Sequence, residues 1–191
     1  LQMQIAATES RIGMLTGNAQ SALDALGARA PEVPQARFIW HLARAQALGA
    51  MDHRNQAATE LESALSWLRD NAPRNATYVA QVEQQLALAR LELGDYKAAD
   101  ELQREATRKL RDSRGANHPL TIAAGRTLAG IQRQSAQLQD ATQSLDEALR
   151  SARTIYPADH PSLVPLQVEA GLQLQAAGQF AEAAQALAQA Q

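Results

Sequence analysis

The stretch Gly94-Asp95-Tyr96-Lys97-Ala98-Ala99 has a near copy at Gly178-Gln179-Phe180-Ala181-Glu182-Ala183, and its register runs through the chain. Ala57, Ala99, Ala141 and Ala183 each stand 42 residues after the last. Ala64, Ala106, Ala148 and Ala190 follow them by seven, with Leu61, Gln103, Leu145 and Leu187 between the two alanine columns. Ahead of the first alanines come Arg54, Tyr96, Leu138 and Phe180, and before these Asp52, Gly94, Ala136 and Gly178. Agreement over this many columns marks an internal repeat.

The columns have a direct physical reading. Glycine accepts the positive φ that commonly ends a helix, so 52, 94, 136 and 178 are tight turns between two helices. Alanines seven apart lie on one helix face about two turns apart, and they are small because a partner helix crosses there. Asn117-His118-Pro119 and Asp159-His160-Pro161 form a second marker, again 42 apart. Proline suits the first helical position, where its missing N–H costs nothing. The equivalent segments Asn75-Ala76-Thr77 and Pro34-Gln35 lack that marker.

Helices are expected at about 35–50, 54–71, 77–93, 96–114, 119–135, 138–155, 161–177 and 180–191. Gly17, Ala22 and Leu26 repeat the turn spacing in a shorter, divergent pair, 1–15 and 19–29. The predicted fold is all-α: a right-handed α-solenoid of about five helix-turn-helix repeats and about ten helices. The repeat pairs fall at about 1–30, 35–71, 77–114, 119–155 and 161–191 of a single domain, 1–191. The chain opens at Leu1 and stops at Gln191 within a helical stretch, so it reads as a piece of a larger protein.

These residues resemble the tetratricopeptide repeat family, with Gly94-Asp95-Tyr96 and Gly178-Gln179-Phe180 as its mid-repeat signature. Ala45, Ala87, Ala129 and Gly171 match the small residue of the family's first helix. The usual repeat has about 34 residues. The 42-residue period and the His-Pro markers resemble the kinesin light chain subtype, a long form that also occurs in bacterial signalling proteins. HEAT-type repeats have similar lengths, but the two alanine columns and the Gly-x-aromatic turn favour the tetratricopeptide reading. Arg54 stands where an aromatic is expected, and Gln103 where a large apolar residue is expected.

The resemblance implies a protein–protein interaction scaffold that holds a partner segment in a concave groove lined by the first helices. Carried over to this chain, the groove positions are Gln84, Leu88, Leu91, Arg126, Arg133, Gln134, Val168 and Gln175. Arginine forms bidentate contacts with carboxylates, and amides bond an extended backbone. A peptide of acidic character is therefore expected. The alternative is a sensor or regulatory domain of a bacterial signalling protein such as a Ser/Thr kinase.

Composition narrows the field. A net charge of -2 with 20% charged residues argues against a dedicated nucleic-acid binder, and no apolar run approaches a membrane span. The absence of Cys excludes disulfides, thiolate metal sites and cysteine nucleophiles, and it fits cytoplasm and periplasm equally. There is no Gly-rich phosphate loop and no nucleophile elbow. His118 and His160, one repeat apart, are too distant to share a zinc ion and read as structural histidines at inter-repeat turns. The basic strip Arg104, Arg108, Lys109, Arg111 and Arg114 is interleaved with acids, so Glu105–Lys109 and Arg108–Asp112 can pair on an outer face. Trp40 and Trp67 read as packing residues, and Tyr78 and Tyr156 as helix ends without chemistry. No enzyme activity, metal or cofactor is expected. The Ala-rich 180–191 helix caps the repeats poorly, so further residues or a homodimer through the solenoid ends are expected.

Overall fold

The computed structural model describes residues 18–27, 29–72 and 74–189, and of Pro34, Gln35 and Gln189 the backbone alone. The expected helix 1–15, Gly17 and Ala190 lie outside the described residues. Nine α-helices occur among the described residues, with no strand: α1 Ala19–Leu26, α2 Pro34–Ala50, α3 Arg54–Asn71, α4 Ala76–Glu92, α5 Tyr96–Arg114, α6 Pro119–Gln134, α7 Leu138–Ile155, α8 Val164–Ala176 and α9 Phe180–Gln189.

The turn column sets these boundaries. Asp52, Gly94, Ala136 and Gly178 all have positive φ, at 62°, 78°, 62° and 79°. Each turn closes the same way. The amide of the turn residue donates three residues back, as Ala136 does to the Arg133 carbonyl. The following amide donates five back, as Gln137 does to the Gln132 carbonyl. This pair of bonds satisfies carbonyls that the helix end leaves free. Glycine meets the geometry without strain at two of the four turns, while Asp52 and Ala136 hold a left-handed conformation that L-residues disfavour.

The helix starts are capped by different residues doing one job. His118 Nδ1 accepts from the Leu120 amide at 3.1 Å, and His160 Nδ1 accepts from the Ser162 amide at 3.1 Å. Asn75 Oδ1 accepts from the Tyr78 amide at 3.3 Å, replacing the histidine that its repeat lacks. One boundary differs from expectation. Helix 161–177 opens as a 3-10 turn over Pro161–Leu163, and α8 begins at Val164. Pro165 has no amide to donate to the residue 161 carbonyl, so the first turn tightens and the Val164 amide takes that carbonyl instead.

The chain divides between Asp95 and Tyr96 into two units. In the first, α1 packs on α2, α2 on α3 and α3 on α4. Ala57 and Ala64 are buried where α3 meets its neighbours. Trp40 is buried too, and its indole N–H donates to the Leu26 carbonyl at 2.9 Å, which ties the end of α1 down. Phe38 stacks on Trp67 with centroids 5.4 Å apart. Arg54 explains its departure from the aromatic pattern: it bonds the Asp52 carboxylate at 2.6 Å and donates to the Glu92 carbonyl in the last turn of α4.

In the second unit α5 packs on α6, α6 on α7, α7 on α8 and α8 on α9, and the first helices α6 and α8 also touch directly. Ala106, Ala129, Ala141, Ala148 and Ala152 are buried, with Ile122, Leu145, Leu163 and Leu166 forming the larger part of the core. The small columns are required by close approach. A Cβ on Gly125 would lie 3.3 Å from that of Ala148, and one on Gly171 would fall 2.5 Å from Leu187 Cγ. Gln103, fully buried, donates its Nε2 to the Ala124 carbonyl at 3.0 Å, while its Oε1 has no hydrogen-bond partner among the described residues.

Candidate functional site

The expected groove residues fall on first helices. Gln84, Leu88 and Leu91 lie on α4 of the first unit, and Leu88 is exposed while the other two are half-buried. Arg126, Arg133 and Gln134 lie on α6 and Val168 and Gln175 on α8, neighbouring helices of the second unit. Val168, Gln134 and Gln175 are exposed, and Arg126 and Arg133 are half-buried.

The two arginines have different situations. Arg133 Nε donates to Glu169 Oε1 at 2.8 Å, with the side chains 19% and 9% exposed. The Glu169 carboxylate rests over Gly130, where an added Cβ would sit 3.5 Å from Oε2. Arg133 therefore neutralises a buried acid and joins α6 to α8. Arg126 makes no ion pair and no side-chain hydrogen bond with the described residues. It lines a hollow of about 250 Å³ with Pro119, Ile122, Ala123, Tyr156, Ser162, Pro165 and Leu166. No carboxylate lines that hollow, and most of its walls are apolar.

Tyr156 was not singled out by sequence as a site residue. It caps the end of α7, and its ring stacks on His160 with centroids 4.5 Å apart and planes at 21°. His160 is thus both a backbone cap and a backing for the Tyr156 wall. Aromatic stacking across a turn leaves no periodic trace, so only the proximity of Tyr156 to the His-Pro marker hints at it.

The second helices α5 and α7 carry another surface. Arg104 joins Asp100 and Asp140, each at 2.7 Å, and Arg111 joins Glu147 at 2.8 Å. Arg108 bonds Glu105 and Asp112, and Lys109 bonds Glu105, so the expected pairs on the basic strip form. The hydrogen bonds of Arg108 and Lys109 hold the Glu105 carboxyl down at about 2, well below its usual range. Arg111 lowers Glu147 in the same way, and the Asp100 carboxylate raises Arg104. A second hollow of about 250 Å³ lies among these residues, and its arginines are all matched by acids. Among the described residues no group of three or more His, Asp or Glu is placed to hold a metal ion, and no helix is long and apolar enough to cross a membrane.

Paired helices with left-handed turns, buried alanine columns and histidine caps define an all-α protein with the tetratricopeptide-like repeat fold. Solved structures of that class superpose on nearly the whole chain. A kinesin light chain-like protein of nearly identical TPR-like repeats from Podosopora anserina matches with a TM-score of 0.85 and 22% identity over 98% of this chain and 92% of its own. BtubC (BKLC) from P. vanneervenii matches with a TM-score of 0.79 and 18% identity over 95% of this chain and 75% of its own. A Rap protein complexed with competence and sporulation factor matches with a TM-score of 0.71 and 19% identity over 100% of this chain and 56% of its own. No protein-family model and no curated sequence matches the chain.

Proposed function

We propose that this chain is a protein–protein interaction scaffold that holds a partner segment on the exposed face of its first helices, and that it is not an enzyme. One observation carries the reading. Among the side chains that packing leaves accessible on the adjoining helices α6 and α8 are Arg126, which makes no ion pair with the described residues, an exposed apolar residue, Val168, and two exposed amides, Gln134 and Gln175. Together they offer charge, apolar area and backbone-pairing groups on one surface. Gln84, Leu88 and Leu91 are the residues of the same register on α4. Arg133 contributes by fixing α6 against α8 through Glu169. The lone positive charge of Arg126 suits a segment of acidic character. A sensor or regulatory role in a signalling protein is a special case of the same binding, and the fold likeness to a Rap protein complexed with a factor favours it.

The test compares two charge-altered forms of the chain as baits in an extract of the native host. Arg126→Glu with Val168→Glu alters the proposed face, and Arg150→Glu with Arg153→Glu alters exposed positions on α7. Circular dichroism checks that both keep their helices. Loss of the same partner from the first form and its retention by the second is the expected result. The reverse pattern places the binding surface on the second helices and overturns the proposal.

A further inference from the structure

We infer that the contact between α5 and α6 is a built-in joint: it is polar where the equivalent contacts are apolar, it opens ahead of the one between α3 and α4, and ionic strength sets how readily it does so. The joint is a property of the fold itself and holds wherever a partner sits.

Three core positions recur every 42 residues on a second helix and on the first helix that packs against it. Between α3 and α4 they carry Leu61, Leu65 and Val79, and between α7 and the turn that opens α8 they carry Leu145, Leu149 and Leu163. Leu61, Leu65 and Val79 are buried, and Leu145, Leu149 and Leu163 pack into one core cluster. Between α5 and α6 the same register holds Gln103, Thr107 and Thr121, which are just as buried, at 0%, 6% and 4% exposed. On the buried face of α5 the one large apolar side chain is Leu110, among Ala99, Gln103, Ala106 and Thr107.

Polar groups in place of leucine and valine forfeit apolar burial and lose their water. Among the described residues three buried side-chain atoms have no hydrogen-bond partner. Two of them, Gln103 Oε1 and Thr121 Oγ1, belong to this triad, and the third is Gln173 Oε1 on α8. Buried polarity at the α3–α4 contact is answered instead: Glu83, fully buried on α4, meets Arg69 of α3 at 3.3 Å.

Hydrogen bonds and ion pairs take over the role that leucines have elsewhere. Gln103 donates to the Ala124 carbonyl at 3.0 Å, and Gln132 of α6 donates to Asp100 of α5 at 3.1 Å. Arg104–Asp140 at 2.7 Å and Arg111–Glu147 at 2.8 Å tie α5 to α7, with side chains between 35% and 51% exposed. Pairs as open to water as these weaken when salt screens them. In a stack of repeats, stability is a sum of repeat and neighbour-contact contributions, so a weak contact opens locally while the others stay closed.

The experiment uses the full chain, which has no Cys of its own, with a single thiol placed at one register in two contacts: Thr121→Cys and Val79→Cys. Labelling by the neutral reagent iodoacetamide under native conditions reads how often each contact opens, and circular dichroism checks that the helices are kept. Expected is labelling of the Thr121→Cys thiol about tenfold or more faster than that of Val79→Cys. Raising sodium chloride from about 20 to about 500 mM is expected to speed the Thr121→Cys labelling by about threefold. Adding Gln103→Leu and Thr107→Leu to Thr121→Cys restores the leucines of the α3 register and is expected to slow its labelling by about tenfold. The comparison of the two thiols in the otherwise unchanged chain stands even where that last variant does not fold. Labelling of Thr121→Cys no faster than that of Val79→Cys overturns the joint. So does labelling that ignores salt, or that Gln103→Leu/Thr107→Leu leaves unchanged in a folded protein.

Discussion

Replacing Arg133 with methionine removes the ion-pair partner that a nearly buried carboxylate has among the described residues. Glu169 is 9% exposed and Arg133 19% exposed, with Nε and Oε1 2.8 Å apart. Removing one member of a buried pair costs about 3–5 kcal/mol, because the remaining charge is stranded. Arg133 keeps part of its side chain in water, which trims the expected loss to about 2–4 kcal/mol. For a chain of this length, 1 kcal/mol moves the thermal midpoint by roughly 2–4 °C, so Arg133→Met is expected to lower it by about 5–15 °C. The double variant Arg133→Met/Glu169→Leu strands no charge and is expected to recover most of that loss. Arg126→Met removes an arginine that pairs with none of the described residues and is expected to shift stability by under about 0.5 kcal/mol. Thermal unfolding followed by far-ultraviolet circular dichroism measures all three. If Arg133→Met matches the parent, or the double variant is no better than the single, the division into a structural and a free arginine is refuted.

Four further outcomes follow from the same geometry. Ala136→Gly relieves a residue held at φ 62° and is expected to raise stability by about 1 kcal/mol, whereas Gly94→Ala at φ 78° lowers it by a similar amount, both measurable by urea unfolding. His118→Ala removes the acceptor for the Leu120 amide and is expected to cost about 1 kcal/mol, with faster hydrogen exchange in the first turn of α6. Gly171→Val drives a side chain into Leu187, from which even a Cβ would be 2.5 Å away, and is expected to free α9 for proteolysis while α5–α7 stay protected. Glu105 is held at about 2, below its usual value near 4.5, and Glu147 is lowered too. Both contribute stability above about pH 4.5 that is lost as pH falls, for Glu105 towards about 2. The Glu105 side chain is 39% exposed, so solvent screening cuts its share to a fraction of about 1 kcal/mol, read as a flatter acid limb in Glu105→Gln.

The sequence spelled out the helices because their ends are written in chemistry that repeats. The residue 52, 94, 136 and 178 column predicts a left-handed turn even where the residue is aspartate or alanine, and all four adopt it. The alanine columns are legible because small size is the property that packing demands, and Ala57, Ala99, Ala141 and Ala183 are all buried. The departures became intelligible only in three dimensions. Arg54 caps the neighbouring helix and Gln103 satisfies a carbonyl, bonds between residues that periodicity does not connect. The groove positions could be placed on helices from their spacing, but spacing does not say which arginine has a partner. Arg133 finds Glu169 on the next first helix, while Arg126 finds none among the described residues. Tyr156 is a wall of the hollow only because its ring lies on His160 across a turn, a contact with no repeat signature.

The central claim is that the face of α6 and α8 takes the partner. The most direct test places a photo-cross-linking residue at Val168 in one form of the chain and at Arg153 on α7 in another, then irradiates each in an extract of the native host. The account predicts a discrete partner adduct from Val168 that is suppressed by Arg126→Glu and absent from Arg153. An adduct from Arg153 with none from Val168 would contradict it.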